Sequence, residues 1–140
     1  MQKYWLPVIR AEIDLRNGQA RRAIDDLNLT PTLERATAPE LSVASQYPAY
    51  LRGEAYLTSS DGARAATEFQ KLIDRRGEVL NFPTASLSRL GLAKSLALSS
   101  DPAKARQAFQ EFFTIWKDAD SNLPPLKEAR SVYSKLGGLQ

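Results

Sequence analysis

The sequence predicts an all-α chain of three stacked antiparallel helix pairs closed by a C-terminal capping helix. Three observations carry that expectation. Two stretches, GEAYLTSSDGARAATEF (Gly53 to Phe69) and AKSLALSSDPAKARQAF (Ala93 to Phe109), align without a gap at an offset of 40 residues, and six aligned positions are identical. A weaker copy, AEIDLRNGQARRAIDDL (Ala11 to Leu27), lies 42 residues upstream of the middle one. Repetition at a period of about 20 to 50 residues marks a stacked-repeat architecture. Each copy breaks in its middle (NGQA, SSDGA, SSDPA), and apolar residues on either side of the break recur at helical spacing. One domain is expected over 1–140, with repeats over about 4–30, 46–75 and 83–117 and the capping helix over about 124–136.

Proline marks the entries to the first helices, at Trp5-Leu6-Pro7, Tyr47-Pro48 and Phe82-Pro83. Gly18 suits a left-handed residue closing the first helix of its pair. Asp61 and Asp101 suit N-caps, because a carboxylate can accept from the unpaired amides of the next turn. Pro102 then falls at the first helical position, where its missing N–H does no harm. From Asn28 to Gln46, with Pro31 and Pro39, a long connection is expected, with a short turn around Leu41 and Val43. Another connection, RRGEVLNFP, runs from Arg75 to Pro83.

Apolar spacing supplies the core. Tyr56 is expected to face Ala65, Phe69 and Leu72. In the last pair, Leu87, Leu90, Gly91, Ala93 and Leu96 meet a wide face of Ala105, Ala108, Phe109, Phe112, Phe113 and Trp116. Small residues recur where paired helices must approach closely (Ala11 and Ala23, Gly53 and Ala65, Ala93 and Ala105), with Leu27, Phe69 and Phe109 packed alongside. After KDADSNLPP a last helix presents Leu126, Ala129, Val132, Tyr133 and Leu136 on one face and ends at Gly137-Gly138. A stacked array needs such an element to cover its open end. Seven helices are expected.

Composition narrows the function. Hydrophobic residues at 43% and charged residues at 25% are ordinary for a folded chain. With no cysteine and no histidine, thiolate nucleophiles, imidazole bases and the usual nitrogen and sulfur metal ligands are absent. No Gly-rich nucleophile elbow or phosphate-binding loop is present either, so neither an enzyme nor a metal or cofactor protein is expected. The net charge of +3 is spread along the chain, which argues for solvated helix faces rather than a nucleic-acid stripe. No apolar run is long enough to enter and span a membrane.

Gly53, Tyr56, Ala65 and Phe69, in that spacing, resemble the tetratricopeptide repeat signature, and Leu92-Ala93, Leu96, Ala105 and Phe109 echo it. The resemblance implies a right-handed superhelix whose concave face is lined by the first helix of each pair. The chain departs from the pattern in its longer connections, in Ala49 and Arg89 at the consensus tryptophan, in the missing closing proline, and in Asp14 at the aromatic position of the first copy. A closer likeness is carried by YWLPVIRAEIDL, YPAYLRGEAYL, EFQKLIDRRGEVLN, SRLGLAKSLALS, FFTIWKDAD and PPLKEARSVYSKL. In this order they resemble the C-terminal repeat region of eukaryotic-like serine/threonine protein kinases from Acidobacteria. A similar tail on winged-helix regulators is the alternative. No kinase Gly-rich loop, HRD or DFG motif occurs, so kinase activity is expected only in an upstream domain.

That resemblance puts the candidate partner-binding residues on the first helices, at Glu12, Tyr47, Tyr50, Glu54, Leu90 and Lys94, with Trp5, Val8 and Leu87 beside them. The positions of the family's carboxylate clamp read Val8, Glu12, Leu51, Leu87 and Gly91, so recognition of a C-terminal carboxylate is not expected. The expected ligand is a protein or peptide segment with apolar anchors. Tyr4, Trp5 and Leu6, with no preceding repeat to cover them, are candidates for self-association into a homodimer. A structural spacer is the competing reading. Compartment is left open, with the cytoplasm favoured.

Overall fold

The computed structural model describes residues 2–30, 46–75 and 83–137, with side chains from Trp5 onward. Among them lie seven helices and no strand: α1 (Gln2–Arg16), α2 (Ala20–Leu27), α3 (Tyr47–Thr58), α4 (Gly62–Asp74), α5 (Pro83–Leu98), α6 (Pro102–Ile115) and α7 (Pro124–Gly137). The turn expected around Leu41 and Val43, and residues 76–82 of the second connection, fall outside the described residues.

Local chemistry accounts for the helix ends. The Asp61 carboxylate accepts from the Arg64 backbone N–H at 3.0 Å, and Asp101 accepts from that of Lys104 at 3.2 Å. These bonds satisfy one orphan amide at the start of α4 and of α6. Both carboxyls are held below their ordinary range. For Asp61 the Arg64 amide is the main cause, and for Asp101 the Lys104 side chain. Pro48 and Pro102 stand in the first turn of α3 and α6, and Pro83 begins α5. Pro7 departs from the expectation. It lies inside α1 rather than at its entry, because helical residues continue upstream of it to Gln2.

The three mid-repeat breaks share one geometry. Gly18, Ser60 and Ser100 occupy equivalent positions and adopt positive φ of 72°, 59° and 59°. Gly18 N–H donates to Leu15 C=O and Gln19 N–H to Asp14 C=O, and Ser60 and Asp61 repeat the pattern onto Leu57 and Tyr56. These are Schellman closures, which favour glycine at the left-handed residue. A left-handed conformation costs a side-chain-bearing residue about 1–2 kcal/mol, and glycine's extra freedom when unfolded takes back part of that. Ser60→Gly and Ser100→Gly are therefore each expected to stabilise the chain by about 0.5–1 kcal/mol, read from urea unfolding midpoints. A loss of stability in both would show that the serine side chains support these turns.

Packing follows chain order. Each helix lies against the next, and α1 also touches α3, α3 touches α5, and α5 touches α7. Among the described residues the backbones of α2 and α4, and of α4 and α6, make no close contact. The odd helices thus lie side by side in one layer, and the even helices form the other. Each pair needs its successor: Leu51 and Ala55 of α3 complete the cluster of Val8, Ala11, Ala23 and Leu27. Leu126, Ala129 and Leu136 of α7 likewise close over Phe109 and Phe112, while Lys127, Arg130, Ser131 and Ser134 face solvent. Such a polar outer surface is what a terminal capping element requires.

Close approach in the middle depends on two glycines. A Cβ on Gly53 would lie 2.6 Å from the Phe69 ring, and one on Gly91 would lie 2.5 Å from it. Phe69 of α4 therefore fills the space between α3 and α5 where neither helix presents a side chain.

Candidate binding face

Four odd helices bring Glu12, Tyr47, Tyr50, Glu54, Lys94 and Glu128 into one polar and aromatic row. At the α1 end, the Tyr47 hydroxyl donates to Glu12 Oε2 at 2.6 Å, and Arg16 Nη2 donates to Glu12 Oε1 at 2.9 Å. The Tyr47 hydroxyl bond, together with Arg16, holds the Glu12 carboxyl below its ordinary range. Partial burial and the facing Glu12 push the Tyr47 phenol up to about 12. The Tyr47 and Tyr50 rings stack with centroids 6.3 Å apart and planes 12° from parallel. Tyr50 in turn meets Phe69 edge-on at 5.9 Å, which anchors the row to the core.

At the α7 end, Lys94 Nζ lies 2.6 Å from Glu128 Oε1. Glu54, between the two ends, differs from its neighbours. It is half-buried and forms no ion pair within 4.0 Å among the described residues. Burial raises its carboxyl above the ordinary value, Lys94 and a Tyr50 hydroxyl contact pull the other way, and Glu128 adds to the rise.

Below this row, toward the C-terminal ends of α3, α5 and α7, a cleft of about 430 Å³ opens across the three helices. Leu57, Ala97, Leu98 and Val132 form apolar walls, with Glu54 and Lys94 at one side and Lys135 at the other. A groove of similar volume, about 430 Å³, lies between α4 and α5. Its polar side chains are already engaged with one another: Gln70 Nε2 donates to Asp74 at 2.7 Å, and Lys71 pairs with Glu68 at 2.7 Å. The odd-helix cleft is the one bordered by residues of three first-layer helices.

The structure brings five of the six expected face residues together. Leu90 is the correction. It is 4% exposed and packs with Phe109 and Leu126, because its helical position points between α5 and α6 rather than along the odd-helix layer. Val8 is buried for the same reason, within the cluster of the first pair. Trp5 is half-buried and packs on that cluster, so most of it serves the fold. Leu6 is 44% exposed, and Ile9 and Ile13, each 52% exposed, continue it as a stripe at helical spacing. The Tyr4 side chain falls outside the described residues.

Sequence reasoning missed Glu128 and the cleft walls. Leu57 follows Glu54 by three positions, and Ala97 and Leu98 follow Lys94 by three and four, so extending the expected residues along their own helix faces finds them. Nothing local marks Glu128, since its place depends on how α7 seats against α5.

No known protein family matches the chain, and no curated protein and no solved structure matches it significantly. Among the described residues no set of histidine, cysteine, aspartate or glutamate side chains is placed to hold a metal ion, and no helix is long and apolar enough to cross a membrane.

Proposed function

We propose that the chain is a non-catalytic interaction module whose odd-helix layer receives a segment of another protein. The observation that carries this reading is the cleft across α3, α5 and α7, apolar in its walls and bordered by the charged side chains of Glu54, Lys94 and Lys135. The tetratricopeptide likeness supports it, since in that family the first helices line a concave, superhelical binding surface. The likeness to kinase C-terminal regions makes the module a regulatory or partner-binding tail, with catalysis in an upstream domain.

The test is panning of a random-peptide phage library on the immobilised chain. Ala97→Trp, which fills the cleft, serves as counter-bait once circular dichroism shows that it folds. Peptides enriched on the native chain and lost on Ala97→Trp are the expected result. Equal recovery on both baits, or none on either, would remove the cleft as a binding site.

A second reading, self-association, is favoured by the exposed stripe of Leu6, Ile9 and Ile13 on α1. The face α7 turns to solvent is polar, so copies would meet through their α1 ends rather than head to tail. The native chain is then expected to run as a dimer in light scattering and Ile9→Asp as a monomer. A native monomer at high concentration would dismiss this reading.

A further inference from the structure

We infer that the chain carries a second docking site, between α6 and α7, that takes an acidic segment of another protein. Lys117 and Arg130 hold an aspartate or glutamate of that segment, and a neighbouring aromatic or aliphatic side chain lies on Phe113 and Trp116. The site is separate from the odd-helix cleft and goes beyond the reading above.

The aromatic residues of α6 and its C-terminal end outnumber what the core takes in. Phe109 and Phe112 are fully buried, whereas Phe113 and Trp116 are only half-buried. Tyr133 of α7, also half-buried, meets Phe113 edge-on with centroids 5.6 Å apart, and Trp116 lies against Phe112 at 5.2 Å. Beside these rings a cavity of about 270 Å³ opens, its wall completed by Leu126, Lys117 and Arg130. Pockets that enclose a whole small molecule hold about 300–1,000 Å³, so this one suits one or two side chains of a peptide.

The charge on that wall is of one sign. Among the described residues Lys117 and Arg130 are its only charged side chains, and neither makes an ion pair or hydrogen bond. The other polar side chains there also have protons to give. The Trp116 indole N–H donates to no described acceptor, and the Tyr133 hydroxyl receives only a long bond from Gln110 Nε2 at 3.5 Å. The carboxylates of the same elements are engaged or lie elsewhere. Glu128 sits across α7 from Arg130 and pairs with Lys94 at 2.6 Å, and Glu111 reaches toward Arg89 at 4.0 Å. Asp120 accepts from the Asn122 amide at 2.8 Å, and neither it nor exposed Asp118 lines the cavity. The last turn of α6 and the first turn of α7 both border the cavity, so their opposite partial charges offset each other.

This lining selects among occupants. A basic segment would meet two like charges with no carboxylate on the wall to receive it. A purely apolar segment would leave the Lys117 and Arg130 heads in water and gain only from their stems. An acidic residue beside an apolar one uses both features, because a guanidinium can present two parallel N–H groups to one carboxylate while the rings take the neighbouring side chain.

The test is panning of a random-peptide phage library on the native chain, on Ala97→Trp, and on Lys117→Glu combined with Arg130→Glu, with folding checked by circular dichroism. Peptides kept by the native chain and Ala97→Trp, lost on the double variant, and rich in aspartate or glutamate next to an aromatic or aliphatic residue are the expected result. A synthetic peptide of that consensus should bind at least about tenfold more weakly to Arg130→Glu in fluorescence anisotropy, as loss of a charged hydrogen-bonded contact requires. It should lose little on Lys127→Glu, which changes an exposed lysine of α7 outside the cavity. Should the double variant fail to fold, Lys117→Gln combined with Arg130→Gln replaces it with the same expected loss. An equal loss on Lys127→Glu would reduce the binding to general attraction toward a basic surface and overturn the site. A basic or uncharged consensus, loss of the same peptides on Ala97→Trp, or no peptide sensitive to the double variant would overturn it as well. The odd-helix reading is judged separately, by peptides that Ala97→Trp loses and the double variant keeps.

Discussion

Phe69→Ala is expected to lower the unfolding free energy by about 3–5 kcal/mol, the range for removing a buried aromatic ring from a core that can only partly collapse. The ring is fully buried, packs with Tyr56, Ala65 and Leu72, and lies against Gly53 and Gly91. Because α3 and α5 present no Cβ at those points, nothing on either side can move in to fill the space. The same geometry sets a reciprocal test. Gly91→Ala alone should destabilise by about 1–3 kcal/mol through overpacking, and combining it with Phe69→Leu should cost less than the two separate changes together. Strict additivity in chemical unfolding would mean that the ring and the glycine do not share one contact.

Arg52→Met carries the second large effect, about 3 kcal/mol or more. Arg52 and Glu68 are 5% and 10% exposed and meet at 3.1 Å between α3 and α4. Arg52 Nη1 also donates to the Leu27 carbonyl at 3.1 Å and to Thr30 Oγ1 at 3.3 Å. One guanidinium thus satisfies a carbonyl at the C-terminal end of α2 while neutralising a carboxylate on α4. Removing it leaves the Leu27 carbonyl to the Thr30 hydroxyl and amide, and leaves Glu68 with only Lys71 among the described ion pairs. Arg52→Met combined with Glu68→Met should regain much of the loss, since a well-packed apolar pair can replace a buried ion pair. A loss below about 1 kcal/mol for Arg52→Met would show that water or Lys71 already carries the Glu68 charge.

The helices and their caps were legible in the sequence because they depend on neighbours a few positions apart. Asp61, Asp101, Pro48, Pro83 and the left-handed Gly18 each act on their own turn, and the periodic stripes ending in Phe69, Phe109 and Leu136 name the core directly. Three kinds of feature were not legible. Leu90 and Glu54 both sit among apolar neighbours on first helices, and only the rotation of each helix against its partners makes one core and leaves the other in a cleft. Arg52 reads as an ordinary surface cation, and its role appears only when α2, α3 and α4 meet. The serines at 60 and 100 hid a closure that Gly18 announced, because their left-handed backbone has no local signal beyond the alignment itself.

The contrast between two glutamates summarises the physical case for the binding face. Glu68 is held by Arg52 and Lys71 and belongs to the fold, whereas Glu54 is half-buried with no ion pair. A carboxyl raised in the folded state ionises more readily when unfolded, so its charge opposes folding above the unfolded value. That opposition fades as pH falls through the raised folded value, and the native chain and a charge-removed variant should then converge in stability. A half-buried carboxyl raised in this way beside a cleft marks a candidate functional group.

The most direct measurement is urea unfolding of Glu54→Gln beside the native chain at neutral pH and again in mild acid. Unchanged or higher stability at neutral pH, with the difference shrinking in acid, is the expected result. A neutral-pH loss of about 1 kcal/mol or more would make Glu54 a structural group like Glu68 and would contradict its place as the unpaired centre of a binding face.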